Sequence, residues 1–71
     1  SNKKIKAITQ ELMQELEQYA RIDLWREKEK VLKEMRKTIK IKLISYQEFK
    51  KKLETITHEI MKLARNILML L

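Results

Sequence analysis

The chain has 71 residues, of which 17 are Lys or Arg and 10 are Asp or Glu, giving a net charge of +7, and it contains no Gly, Pro or Cys. Average usage would supply about five Gly and about three Pro in this length, and without them phosphate loops, nucleotide fingerprints and most strand hairpins are excluded. The lack of Cys removes disulfide staples and thiolate metal sites, and a single His does not complete a zinc site, so no metal or cofactor is expected and a binding or assembly role remains.

At this size there is one domain at most, covering residues 1–71. Ordering it costs on the order of 100 kcal/mol at ~1.5 kcal/mol per residue, which the core of so small a body barely offsets. No stretch approaches the ~18 consecutive apolar residues of a membrane span, and Lys3, Lys4 and Lys6 are not followed by the apolar block of a signal peptide. A soluble, cytoplasmic chain is expected. The leading Ser1-Asn2 is the kind of dipeptide that tag removal leaves, and it is set aside.

Ile5, Ile8, Leu12, Leu16 and Tyr19 fall at steps of three and four, with Met13 and Ala20 on the flank, which predicts an amphipathic helix over about residues 3 to 20. Its charges oppose the macrodipole: the three lysines lie at the positive end, and Glu11, Glu15 and Glu17 lie toward the negative one. A helix that begins further upstream in a longer parent chain would remove that conflict. Arg21-Ile22-Asp23 breaks the stripe, and Asp23 is placed to cap a second helix, about residues 24 to 43. Its core positions are Leu24, Trp25, Val31, Leu32, Met35, Ile39 and Leu43, and its C-terminal half from Met35 to Leu43 carries no acid.

Ser45-Tyr46-Gln47-Glu48 has the pattern of a capping box, with Ile44 and Phe49 in the two positions of a hydrophobic staple. A third helix, about residues 46 to 70, is predicted from it. Its heptad is Tyr46, Phe49, Leu53, Ile56, Ile60, Leu63, Ile67 and Leu70, a spacing that favours antiparallel packing at a shallow crossing angle. At 1.5 Å per residue this helix would be about 37 Å long, against about 27 and about 30 Å for the others. The surplus falls at Ile67, Leu68, Met69, Leu70 and Leu71, apolar all round the axis, and such a tip calls for a partner.

Few residues suggest chemistry. Glu54 and His58 lie one turn apart but lack a third ligand nearby, so His58 is expected as a solvated side chain. The carboxylate pairs Glu11/Glu15 and Glu27/Glu29 have no surrounding pattern that would raise a pKa for acid catalysis. The basic group Lys33, Arg36, Lys37, Lys40 and Lys42 fits an acidic protein surface or a DNA backbone. No aromatic residues are interleaved for base stacking, and no Gly-containing turn of a helix-turn-helix is present, which favours the protein surface or a plain solvated face. Lys50, Lys51 and Lys52 wrap round their helix as solubilising charge. Trp25 plugs the end of the bundle in the favoured reading and anchors a partner in the other.

The stretch from Ala20 through Asp23, Leu24 and Trp25 to Met35-Arg36-Lys37-Thr38-Ile39-Lys40 resembles the C-terminal helical region of the R (restriction, motor) subunit of type I restriction-modification enzymes. In that family an Ile/Val-Asp-Trp start leads into a basic helix ending in a pattern like Met/Leu-Arg-x-x-Ile-Lys. Here Leu24 intervenes between Asp23 and Trp25, and Ile44-Ser45-Tyr46 stands where a Gly-Tyr-Pro-like connector is usual. The resemblance implies a parent that is an ATP-dependent translocase and site-specific endonuclease, with this region attaching it to the methyltransferase core. The family's catalytic residues have no counterpart in these 71 residues.

The expectation is therefore an all-α, three-helix antiparallel bundle with a long third helix, acting as a non-catalytic assembly module. Its protein partner would be met by Ile67 to Leu71 and Trp25, with the basic group steering an acidic surface. A DNA-binding module and a homo-oligomerising coiled coil built on the third helix are the alternatives.

Overall fold

The computed structural model describes residues 2–68. Among them, three α-helices form an all-α bundle: α1 is Asn2–Ala20, α2 is Glu29–Ile44 and α3 is Leu53–Ile67. Two 3₁₀ segments join them, Trp25–Glu27 before α2 and Gln47–Lys52 before α3. Side-chain pairs fix the directions. Tyr19 Oη lies 3.2 Å from Thr38 Oγ1 and Lys42 lies 3.4 Å from Glu15, so α1 and α2 run antiparallel. Lys40 meets Glu54 at 2.8 Å across α2 and α3, and Lys4 meets Glu48 at 3.1 Å, which sets the start of α1 beside the entry to α3.

The core is one cluster. Ile8, Leu12, Leu16 and Ala20 supply it from α1, Leu32, Met35, Ile39 and Leu43 from α2, and Phe49, Ile60, Met61, Ala64 and Leu68 from the third segment. These positions recur mainly every four residues, and such rows wind slowly round a helix, because four residues turn it by more than one revolution. The winding decides which predicted core residues fail. On α3 the buried row runs Ile60, Ala64, Leu68 instead of the heptad Ile60, Leu63, Ile67, so Leu63 and Ile67 face outward. A straight helix drifts by about 20° per heptad, which a seam spaced at 3.5 residues does not follow. Ile5 leaves the α1 stripe in the same way.

The joints differ from the sequence reading. The second α-helix begins at Glu29, not at Leu24, and Lys28 is its N-cap with no side-chain hydrogen bond, so Asp23 does not cap it. Leu24 takes φ 56°, ψ 33°, the left-handed region, and so reverses the chain that a glycine would ordinarily reverse. This turns Leu24 outward, 61% exposed, and Trp25 inward, 5% exposed. Backbone bonds from Trp25 N–H to Ile22 O and from Glu27 N–H to Leu24 O, at 3.1 and 3.0 Å, hold the turn.

The capping box does not form. Ser45 Oγ donates to Lys42 O at 2.7 Å, closing the end of α2, while the Glu48 carboxylate turns to Lys4. Ile44 stays exposed, so the staple is absent as well. Chain entry is fixed instead by aromatics: Tyr46 and Phe49 pack at 5.7 Å between ring centroids with planes tilted by 57°, and Lys4 Nζ sits 5.1 Å from the Tyr46 ring centroid. The 3₁₀ geometry brings residues three apart onto one edge, which sets Phe49 beside Tyr46; Phe49 is buried, while Lys50, Lys51 and Lys52 remain exposed. The third helical run is thus 3₁₀ and then α. At about 34 Å it is still the longest, although α3 itself is the shortest α-helix.

Leu24 carries a left-handed cost of roughly 1 to 2 kcal/mol and buries little side chain in return. Leu24→Gly is expected to stabilise the bundle by about 1 kcal/mol, part of the relief being offset by the freer unfolded chain. Leu24→Val should destabilise it, since a β-branched residue suits the left-handed region worse. Thermal unfolding followed by circular dichroism checks both signs.

Candidate interaction surface

The basic residues of α2 do not form one patch, because the helical period sends them to different neighbours. Lys42 turns toward α1, where its ammonium bridges Glu11 at 3.5 Å and Glu15 at 3.4 Å. The hydrogen bond and charge of Glu15, then those of Glu11, raise the Lys42 pKa above the ordinary lysine value. Lys40 turns toward α3 and holds Glu54 at 2.8 Å, and Arg36 binds Glu29 of its own helix at 2.7 Å. Lys33 and Lys37 point away from the core and have no ion pair among the described residues.

Lys33 and Lys37 head a row with Ile41 at steps of four on the outer side of α2. Ile41 is 62% exposed and Ile44, close by on the same side, is 52% exposed. Two branched aliphatic side chains in water beside two uncompensated ammonium groups make this the best-defined candidate contact surface. The sequence carried the signal: Ile41 stands about 200° round the helix from Ile39 and cannot share its core position.

The apolar tip divides. Ile67, placed by the sequence both on the heptad and in the tip, is 48% exposed, whereas Leu68 is only 4% exposed and belongs to the core, which removes it from the exposed tip. The step of four from Ala64 explains the correction. Met69, Leu70 and Leu71 lie outside the described residues. Trp25 is corrected too as a partner anchor, because the left-handed turn at Leu24 folds it into the cluster that closes this end of the bundle.

The carboxylates and the histidine singled out in the sequence are drawn to other partners or stand apart from one another. Among the described residues no three His, Asp or Glu side chains group as metal ligands. Glu54, the one carboxylate a turn before His58, is held by Lys40, and Glu11 and Glu15 share the Lys42 ammonium. Glu48 and Glu59 are displaced below the usual carboxylate range, mainly by hydrogen bonds from Lys4 and Lys62, so they stay ionised where a general acid would need its proton. No described helix is long and apolar enough to cross a membrane.

Fold and surface together define an all-α three-helix bundle with an exposed basic and aliphatic face. Comparison with protein-family descriptions, with curated proteins and with solved structures finds no match to this chain.

The shifted groups set a pH window. Glu48 and Glu59 are lowered on folding, so their contribution is present above the unfolded carboxyl value of 4.5 and is lost as pH falls through the lowered ones. Lys42 is raised, so its contribution is complete below 10.5 and is lost as pH rises through the raised value. Urea midpoints should be flat between those limits and fall outside them. Lys42→Met should remove the Lys42 part of the alkaline loss and leave the acid limb unchanged.

Proposed function

We propose that the chain is a non-catalytic helical assembly module that docks on an acidic, partly apolar protein surface through the outer face of α2. The observation that carries this reading is the row Lys33, Lys37, Ile41 with Ile44 beside it, on a helix whose opposite side is locked into the core. A rigid helix presents such side chains already ordered, and exposed aliphatics flanked by unpaired cations suit a contact with a greasy centre and a charged rim. The resemblance to the type I restriction R subunit gives the partner its specific form, the methyltransferase core to which an ATP-dependent translocase and endonuclease is attached. Under that reading the nuclease and motor reside in other parts of the parent, and this bundle supplies attachment alone.

Calorimetric titration of the bundle against the methyltransferase core of the same system tests the proposal, with duplex DNA as the competing ligand. Ile41→Glu with Ile44→Glu should weaken docking by at least about tenfold, and both sites are exposed, so the fold should survive. Lys33→Ala with Lys37→Ala should slow association and flatten its salt dependence. Docking unchanged by both pairs would refute the α2 face. Binding to DNA alone, with a log–log salt slope near about −1.8 that vanishes in the lysine pair, would replace the protein partner by two phosphate contacts. Leu63 and Ile67, exposed one turn apart on α3, give the second reading its footing, a homo-oligomer through that helix. Sedimentation showing a monomer across the micromolar range would dispose of it.

A further inference from the structure

Because both run antiparallel to α2, α1 and α3 run in the same direction, and α3 packs more on α2 than on α1. The starts of the two helices are level, since Ile5, Thr9 and Ile56 border one small void. Each helix rises 1.5 Å per residue, so about eleven residues further on Ile67 stands level with the turn that carries Glu17. The face they share is apolar and open: Ile5, Leu63 and Ile67 are exposed, and Met13 and Ile56 are half-buried against the core. On α3, Ile56, Leu63 and Ile67 fall within about 40° of one another round the axis. Glu54, which Lys40 holds, lies about 160° from Ile56, so this row is turned away from α2.

The polar rim of the face is balanced, unlike that of α2. Glu11 and Glu15 turn to Lys42 of α2. Met13 and Glu17, each two residues later, stand about 200° round α1 and border the opposite flank, and Lys6, one heptad before Met13, joins their row. Lys6 has no ion pair among the described residues. Glu17 meets Arg21 at 3.2 Å through one oxygen, and a carboxylate accepts at both. A cation thus closes one end of the face and an anion the other. The apolar row has the same symmetry, since Ile56 and Ile67 share their midpoint with Ile60 and Leu63. A two-fold contact requires that one residue meet a second while the second meets the first, which this pattern satisfies when two copies lie antiparallel. Parallel copies would set Lys6 against Lys6, and a partner of one charge sign would satisfy one end only.

We infer that the face formed by α1 and α3 binds a second copy of this chain, with α3 lying antiparallel on α3 and α1 on α1. Ile56 of each copy meets Ile67 of the other, Leu63 sits beside Ile60 across the two-fold, and Lys6 comes within reach of Glu17. This rests on the reading of a homo-oligomer through α3 and adds to it the direction, the register and the part played by α1. The alternating steps of four and three along Ile56, Ile60, Leu63 and Ile67 are the spacing that paired helices bury, and the core of a single copy leaves Leu63 and Ile67 out of it. The row is only about 16 Å long, and so short a contact falls below the ~800 Å² per partner of a standard interface. The dimer is therefore weak, with an expected dissociation constant of about 10 to 100 μM. Lys33, Lys37 and Ile41 stay uncovered in it, so each copy keeps its α2 face for another partner.

Sedimentation equilibrium across the micromolar range tests the inference, and cysteine pairing tests its direction. Association that grows with concentration is expected, and Leu63→Glu, at an exposed site, should weaken it by at least about tenfold with helicity unchanged. Lys6→Glu should weaken it by about threefold, and adding Glu17→Lys should restore it. The chain has no Cys, so Ile56→Cys with Ile67→Cys gives a clean report. Within one chain those positions lie about 16 Å apart, beyond the ~7 Å that a disulfide spans, and only an antiparallel neighbour brings them together. Mild oxidation should link the double variant into a covalent dimer far faster than either single variant. If the double variant does not fold, the charge swap at Lys6 and Glu17 decides the direction. A monomer at every concentration would overturn this inference together with the homo-oligomer reading. A dimer whose single-cysteine variants link as fast as the double one, or whose Lys6→Glu defect persists after Glu17→Lys, would overturn the antiparallel arrangement alone. A dimer dissolved by Ile41→Glu with Ile44→Glu but not by Leu63→Glu would move the contact to α2 and overturn both.

Discussion

The rows of apolar side chains at steps of four are the constraint from which the rest of the molecule follows. Leu12 and Leu16 on α1 and Met35, Ile39 and Leu43 on α2 are the largest side chains fully removed from water. A small bundle has few such residues, and truncating one to alanine typically costs about 2 to 5 kcal/mol, a large share of the stability of a domain this size. Once those rows interlock, each helix has a fixed rotation about its axis. The solvent side of α2, the outward position of Leu63 and the inward position of Leu68 are consequences of that rotation.

Rotation also divides the charge. The ion pairs found among the described residues lie on the flanks where helices meet or within a turn or two of one helix, and all involve partly exposed side chains, so none contributes much alone. Their effect is to consume cations selectively. Lys42 and Lys40 are taken up by neighbours, whereas Lys33, Lys37 and Arg65 have no ion pair among the described residues.

Fold class and helix number were legible because apolar periodicity is a long-range signal repeated over many turns. The joints were not. Asp23 and Ser45 have side chains suited to capping, yet local propensity yields where an aromatic must be buried: Trp25 and Phe49 dictate both connections, and the polar groups rearrange around them. The heptad misled for a related reason, since a choice between Leu63 and Ala64 as core residue cannot be made on hydrophobicity when close approach of two helices favours the smaller side chain. For the surface, the basic composition of α2 was plain, but its partition required knowing which acid lies across from which lysine.

The connections are short, and each of the first two helices packs against the next one along the chain. Loop closure over so few residues carries little entropy, and proteins dominated by such neighbouring interactions fold within microseconds to milliseconds. Rapid collapse shortens the time for which Leu12, Leu16, Met35, Ile39 and Leu43 lie open to other chains, so the side chains left to meet a neighbour are the few that the finished fold keeps outside, Ile41, Ile44, Leu63 and Ile67 among them.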